Sequence, residues 1–279
     1  MMKGNNIKRD TGSTIFYILM RLATLFTFAV LFFLIGYILL RGVSSLSPSI
    51  FQWQYTTQNV SMTPAIVTTI IIVGLSILIA APIGVFTGFY LVEYASKGSK
   101  VVELIRISSE TLAAIPSIVY GLFGMLFFGI FLNFGYSIVS GVLTVSIMIL
   151  PLIIRSTEEA LISVSDSLRN GSFALGAGKL RTIFKVVLPT AMPGVVSGVI
   201  LAIGRVIGET AALIYTLGTS TNMPKNLMSS GRTLALHMYV LSNEGLHVNE
   251  AFATGVILLV VVIILNQLSV WLSDKLTGV

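Results

Sequence analysis

Six runs of apolar residues, each near the length a helix needs to cross a bilayer, divide this sequence: 22–40, 65–92, 111–132, 137–154, 194–217 and 251–272. About 20 apolar residues in helical conformation span the hydrocarbon core, where the backbone must satisfy its own hydrogen bonds. The runs predict an all-α, polytopic membrane protein with six transmembrane helices. Composition agrees: 55% of residues are apolar and 10% charged, where a soluble domain carries about 25% charged. Lys3, Lys8 and Arg9 precede the first run as they would a signal peptide. That run is longer than a signal peptide's apolar core of roughly 7–15 residues, and no small-residue cleavage pattern follows it, so it reads as a span.

The polar segments alternate in charge. Thirteen of the seventeen basic residues fall on one side: Lys3, Lys8, Arg9 and Arg21; Lys97, Lys100 and Arg106; Arg155, Arg169, Lys179, Arg181 and Lys185; and Lys275. Arg41, Lys225 and Arg232 fall on the other. The positive-inside rule puts the basic side, and both termini, in the cytoplasm, as for a multi-pass protein of the cell (cytoplasmic or inner) membrane. The expected organisation is a cytoplasmic segment 1–21, a membrane domain 22–272 and a cytoplasmic tail 273–279. Within the membrane domain, 155–187 forms the longest cytoplasmic loop and 218–250 an external segment. The net charge of +6 does not indicate nucleic acid, because the basic residues form no polar face with interleaved aromatics. There is no cysteine and there are only two histidines, His237 and His247, so no metal site is expected and no cofactor is implied. Both histidines are expected in solvent or at the interface, and Trp53 and Tyr55 in the interfacial aromatic belt. In the external segment, 226–241 is expected to form a short interfacial or re-entrant helix.

Arg205 and Glu209 interrupt the fifth run. A charge at the bilayer centre costs roughly 2.5–3.5 kcal/mol on the insertion scale, so such residues are seldom without a role. Four positions apart, they are expected on nearly one face of a single helix. Small residues recur every four positions: Ala80, Gly84 and Gly88; Gly194 and Gly198; Gly204, Gly208 and Ala212. Such rows let helices approach closely, which turns Arg205 and Glu209 toward a tight helix contact. Two readings stand: a structural ion pair, or a site on a path for an anion. Pro82 and Pro116 mark kinks or hinges in the second and third runs. In the long cytoplasmic loop, Gly176-Ala177-Gly178 separates two short helices, and Pro189 and Pro193 mark the start of the next one. The result is a helical elbow shaped to enter a partner's groove.

The elbow resembles the cytoplasmic loop of ABC importer permeases, Glu-Ala-Ala-x3-Gly-x9-Ile-x-Leu-Pro. Leu188-Pro189 aligns with its end, Val186 with the Ile and Gly176 with the Gly, while Asn170, Gly171 and Ser172 replace Glu-Ala-Ala. Ala114-Ile-Pro-Ser-Ile-Val-Tyr-Gly121 and Gly204-Arg-Val-Ile-Gly-Glu-Thr-Ala211 resemble segments of the phosphate-specific permeases. Ala212–Thr216 and Asn226–Leu234 look like the A-subunit branch of that family. The resemblance implies the type I ABC importer permease fold. It also implies a second phosphate permease subunit, two ATPase subunits and an extracytoplasmic phosphate-binding protein as partners, within membrane lipid. It places Arg205, Glu209 and Thr210 on the substrate path. It assigns ATPase coupling to Asn170, Gly171, Ser172, Ala174, Leu175, Gly176, Ala177 and Lys179. The chain carries no Gly-x4-Gly-Lys-Ser/Thr loop, so ATP hydrolysis is expected on another subunit. No His-Glu-x-x-His or Gly-x-Ser-x-Gly is present, so no catalytic residue is expected. A permease for another oxyanion such as sulfate or molybdate, and a stand-alone secondary anion carrier, remain the alternatives.

Overall fold

A computed structural model of the chain describes residues 11–95 and 98–277. Lys3, Lys8, Arg9 and Lys97, residues 1–10 of segment 1–21 and the last two residues of the tail lie outside the described residues. Eleven α-helices make up the described fold: α1 (Thr11–Val43), α2 (Thr63–Phe89), α3 (Lys100–Ala114), α4 (Ser117–Gly124), α5 (Ile138–Ile162), α6 (Asp166–Ala174), α7 (Lys179–Thr182), α8 (Leu188–Ile207), α9 (Ala211–Thr216), α10 (Leu234–Glu244) and α11 (Val248–Thr277). Five continuous helical stretches are long and apolar enough to cross a membrane, and α3 with α4 makes a sixth if the bent pair counts as one span.

The core is a bundle of α2, α5 and α8. Ile72, Val145, Met148, Ile149, Ile153, Ala202 and Val206 fill its centre. Small residues set its spacing. A Cβ on Gly84 would lie 2.8 Å from Ile153, one on Gly88 2.8 Å from Thr157, and one on Gly194 2.6 Å from Ala160. Helices that close need no large side chains to pack, only backbone against backbone. Hydroxyls tie the same faces. Ser76 of α2 donates to the Val142 carbonyl of α5, and Ser146 of α5 to the Ser76 carbonyl, both at 3.4 Å. α1 stands apart: no part of its most apolar stretch is buried. It meets the rest where Tyr37 packs edge-on to Phe252 of α11 at 5.6 Å.

Two of the predicted spans are broken. Residues 111–132 do not form one helix: α3 ends at Ala114, and α4 leaves it at 101°. Pro116 has no N–H and forces the residue before it out of helical geometry, and Ile115 accordingly has φ −70° and ψ 130°. The Tyr120 hydroxyl donates to the Leu112 carbonyl at 2.8 Å across the corner. Pro82, by contrast, sits inside an uninterrupted α2. Residues 194–217 are also divided, because α8 stops at Ile207 and α9 begins at Ala211. At the other boundary, helical structure starts well before Pro189: α7, a π-helical turn (Ile183–Val187) and α8 follow without a gap.

The segment 226–241 is helical only from Leu234. Before that, Asn226 and Ser229 capture backbone groups for themselves: Met228 N–H donates to Asn226 Oδ1 at 3.0 Å and Asn226 N–H to Ser229 Oγ at 3.2 Å. Such local bonds compete with a helix ladder. The loop then lies across the start of α5, where Ile138 N–H donates to the Ser229 carbonyl and Val139 N–H to that of Leu227, both at 3.0 Å.

The glycine contacts predict a sharp difference between two substitutions. Gly84→Ala should lower the unfolding free energy of the detergent-solubilised chain by about 1–3 kcal/mol through overpacking. Gly74→Ala, with no atom within 4 Å of the added Cβ, should leave the melting temperature unchanged or raised. Equal melting temperatures for the two variants would contradict the α2–α5 contact.

Candidate functional site

The break between α8 and α9 sits inside the bundle, level with the middle of α5. A helix that stops there leaves N–H and C=O groups with no water to receive them. Glu209 answers part of this need. Its side chain, only 8% exposed, accepts the Ala212 N–H at 2.9 Å and so ties down the first turn of α9. Thr210, half-buried, precedes that turn with φ −123° and ψ −48°. Arg205 lies in the last turn of α8 and is exposed. The two charges therefore do not share one helix, and no ion pair joins them among the described residues. Nor does the second glycine row make the expected tight contact. A Cβ on Gly204 would meet nothing within 4 Å, and one on Gly208 only the Gly204 carbonyl at 3.7 Å. Ala212 alone is closely packed, 2.9 Å from a Cβ placed on Gly121.

Arg205 heads a cavity of about 310 Å³ between α3, α5 and α8. The cavity runs from Met148, near the middle of α5, to Ile162 at its end. Its other charged residues are Arg106, Glu110, Arg155, Glu158 and Glu159. Arg106 pairs with Glu158 at 3.0 Å and Arg155 with Glu159 at 3.0 Å. Arg205 has no ion-pair partner among the described residues. The cavity thus has two ion pairs at its mouth, the Glu110 carboxylate near Arg155 and, at the Met148 end, an arginine without an ion-pair partner among the described residues.

At the same end of the bundle the chain forms the elbow. α6 carries Asn170, Gly171, Ser172 and Ala174; Leu175, Gly176 and Ala177 make the bend; Lys179 opens α7. Gly176 has φ +80°, a conformation glycine adopts without strain. Ser172 Oγ and Thr182 Oγ1 lie 2.8 Å apart across the bend. No residue of α6 is buried, and Leu175 at the tip is 90% exposed. The elbow is anchored from behind. Arg169 donates to Glu93 at 2.9 Å and to the Leu161 carbonyl at 2.9 Å, and it also reaches the Val164 carbonyl and Asp166. The Lys179 ammonium sits 4.8 Å from the ring centre of Tyr94.

The binding-protein-dependent transport system inner membrane components match this chain over residues 80–278.

The chain belongs to that family.

Among curated relatives, a probable ABC transporter permease protein, YqgI, of Bacillus subtilis is 35% identical over 271 residues, covering 89% of this chain and 90% of the relative. A phosphate transport system permease protein, PstA 2, of Mycobacterium bovis is 33% identical over 249 residues, covering 85% and 82%. Among solved structures, the chain is similar to that of a bacterial ABC transporter importing the acidic polysaccharide alginate: TM-score 0.65, 16% identity, 94% of this chain and 97% of that one. The inward-facing MetNI methionine transporter gives TM-score 0.52 at 18% identity, covering 88% and 96%. The fold is that of type I ABC importer permeases, and the chain is a multi-pass membrane protein.

Within this family fold, several residues stand out that the sequence does not single out. Glu93 and Arg169 are 76 positions apart, and no local pattern joins them. Glu93 is the first acidic residue after the second run, at the edge of a basic segment, and that position is its one sequence signal. The histidine expectation fails for His237, which is 1% exposed. Tyr55, half-buried, packs on both groups of this cluster: its ring lies 6.3 Å from that of His237, edge-on, and 5.0 Å from the Arg232 guanidinium carbon.

Two outcomes follow from these contacts. Arg169→Ala strands Glu93 and two carbonyls, so it should cost about 1–3 kcal/mol and open residues 166–182 to limited proteolysis; Arg169→Lys should protect them in part. Unchanged cleavage of Arg169→Ala would sink the anchoring role. His237 is held neutral, its pKa lowered to about 3 first by burial and then by the Arg232 charge. Its folded pKa lies below its unfolded value near 6.5, so stability is unaffected above about pH 6.5. Below that, stability falls by about 1.4 kcal/mol per pH unit until about pH 3. Melting curves from pH 7 to pH 4 should fall less steeply for His237→Gln than for the parent; parallel curves would rule this out.

Proposed function

We propose that this chain is a permease subunit of an ATP-driven importer that moves inorganic phosphate across the cytoplasmic membrane. The end bearing the elbow and the basic residues faces the cytoplasm, and both termini lie there. The elbow docks on a separate ATPase subunit, a second permease subunit completes the path, and an extracytoplasmic binding protein delivers the ion. The names of the PstA relatives support phosphate. The observation that carries the reading is the unpaired Arg205 guanidinium at the inner end of the cavity. Arginine keeps its charge at any working pH and presents several fixed N–H donors to an oxyanion. The paired rim, Arg106–Glu158 and Arg155–Glu159, leaves the mouth without a strong trap, which suits an ion that must leave. Glu209 enters the reading through the backbone, by holding α9 in place beside Arg205.

The elbow's role rests on its shape and on its exposed Phe173 and Leu175, which offer apolar contact to a groove. Asn170 replaces the family's glutamate, and Arg169 beside it already supplies an ionic tie to Glu93 within the subunit.

ATP-dependent uptake of radiolabelled phosphate into vesicles containing the complete complex tests the proposal. Arg205→Ala should reduce uptake about tenfold or more, the loss of one or more charge-assisted hydrogen bonds. Co-purification with the ATPase should be unchanged. Full uptake by Arg205→Ala in a normally assembled complex would remove Arg205 from the path. Stronger competition by sulfate or molybdate than by unlabelled phosphate would transfer the reading to another oxyanion.

A further inference from the structure

At the end of the bundle opposite the elbow, the structure buries an arginine without an acid. Arg232 is 4% exposed. Its Nε and Nη2 are both buried and make no hydrogen bond of standard geometry, while the Tyr55 hydroxyl beside the group favours its charge. These two N–H groups point the same way within the guanidinium plane, and together they form the edge that holds two oxygens of a carboxylate or phosphate at once. Tyr55 covers one face of the group, with its ring centre 5.0 Å from Cζ. His237, edge-on to the same Tyr55 ring, has both ring nitrogens buried without a hydrogen bond of standard geometry, and only the Val60 backbone lies close enough to favour its charged form. Glu244, the carboxylate felt at Arg232, is exposed and makes no ion pair with it among the described residues. Leaving one buried charge uncompensated costs several kcal/mol, as does leaving buried donors unpaired.

The surroundings hold these groups in place. Gly231 packs against α2, where an added Cβ would lie 3.1 Å from Thr68 Oγ1. Leu234 N–H donates to Thr69 Oγ1 at 2.8 Å. Thr233 caps α10, accepting from Leu236 N–H at 3.4 Å. Arg232 is thus fixed at the entry of α10, and His237 sits about one turn along the same helix. The segment supplying Tyr55 is braced internally, with Asn59 donating to Gln52 at 2.7 Å and to the Gln54 carbonyl at 2.9 Å.

We propose that Arg232 and His237 form a second oxyanion site, on the external side, which takes a small tetrahedral anion ahead of Arg205. It rests on the phosphate-import reading for its ligand and its orientation. The Nε/Nη2 edge of Arg232 grips two oxygens of the anion, and an N–H of neutral His237 donates to a third. A small ion is the fitting occupant, because both side chains are buried with Tyr55 packed against them. The site fills when that segment parts from α10, and the anion supplies the negative charge that the fold omits.

The complete transporter in lipid nanodiscs, without binding protein and with hydrolysis-blocked ATPase subunits, provides the test. Equilibrium dialysis with radiolabelled inorganic phosphate is run with and without ATP. Arg205→Ala should keep one phosphate-binding site. Adding Arg232→Lys, which loses the fork that holds two oxygens, should weaken that site at least tenfold, and His237→Gln should weaken it less. Density maps of the parent complex at high phosphate should show a tetrahedral ion at Arg232 Nε and Nη2. Water alone at that edge, absence of a residual site in Arg205→Ala, or residual binding indifferent to both Arg232→Lys and His237→Gln overturns the proposal. Those results leave Arg205-dependent uptake, and hence the import reading, standing. Conversely, an Arg232-dependent site filled by sulfate and not by phosphate supports an oxyanion site while overturning phosphate as the cargo.

Discussion

A helix cannot stop inside an apolar bundle unless something takes up the backbone groups it leaves behind. The Glu209 carboxylate on the Ala212 N–H is the bond that permits the stop between α8 and α9. Much of the site depends on it. With the break in place, Arg205 ends one helix and is free of the next, and its guanidinium reaches the cavity. Had α8 run on through Leu217, Arg205 and Glu209 would have stood one turn apart and neutralised each other. The bond thus converts a would-be ion pair into a capped helix and an available cation.

The same helix ties that cation to the elbow. From Lys179 to Ile207 helical structure runs without a gap, a rod of about 44 Å at 1.5 Å per residue. Ala160 and Ser156 of α5 press on Gly194 and Gly198, so the rod is held along one side by backbone contact. At its base, Arg169, Glu93 and the Leu161 carbonyl join the elbow to α2 and α5. The elbow and Arg205 thus stand at the two ends of one continuous helical rod. Packed helices shift as bodies because their contacts do not stretch.

The fold was legible in the sequence to the extent that it rests on length and periodicity. The apolar runs fall on all five continuous membrane-length helices, though not on their ends, and Gly176-Ala177-Gly178 marks the bend of the elbow. The breaks were less legible. Pro116 was visible as an interruption, but a 101° turn needs Ile115 extended, and Pro82 in a similar setting leaves its helix whole. The stop at Gly208–Thr210 carries no proline at all. It depends on a side chain choosing a backbone donor over a nearby arginine, and charge spacing alone favours the opposite choice. Glu93 with Arg169, and Tyr55 with Arg232, are long-range pairs that no local pattern announces.

Arginine is the common element in what the sequence left open, and burial separates its uses. Arg169 is nearly buried and fully engaged, by two acids and two carbonyls, and it acts as a structural tie. Arg205 is exposed at the inner end of a cavity, where water can hydrate it when no ion is present, so its lack of a partner costs little. Arg232 has neither water contact nor an acid, and burial pulls its pKa down while Tyr55 opposes the shift. A lysine there would shed its proton and become a neutral amine; a guanidinium, its charge shared over three nitrogens, does not. The fold therefore maintains a positive charge in an apolar setting at a standing cost, and an arrangement of that kind is most economically explained by an anion that arrives from outside the chain.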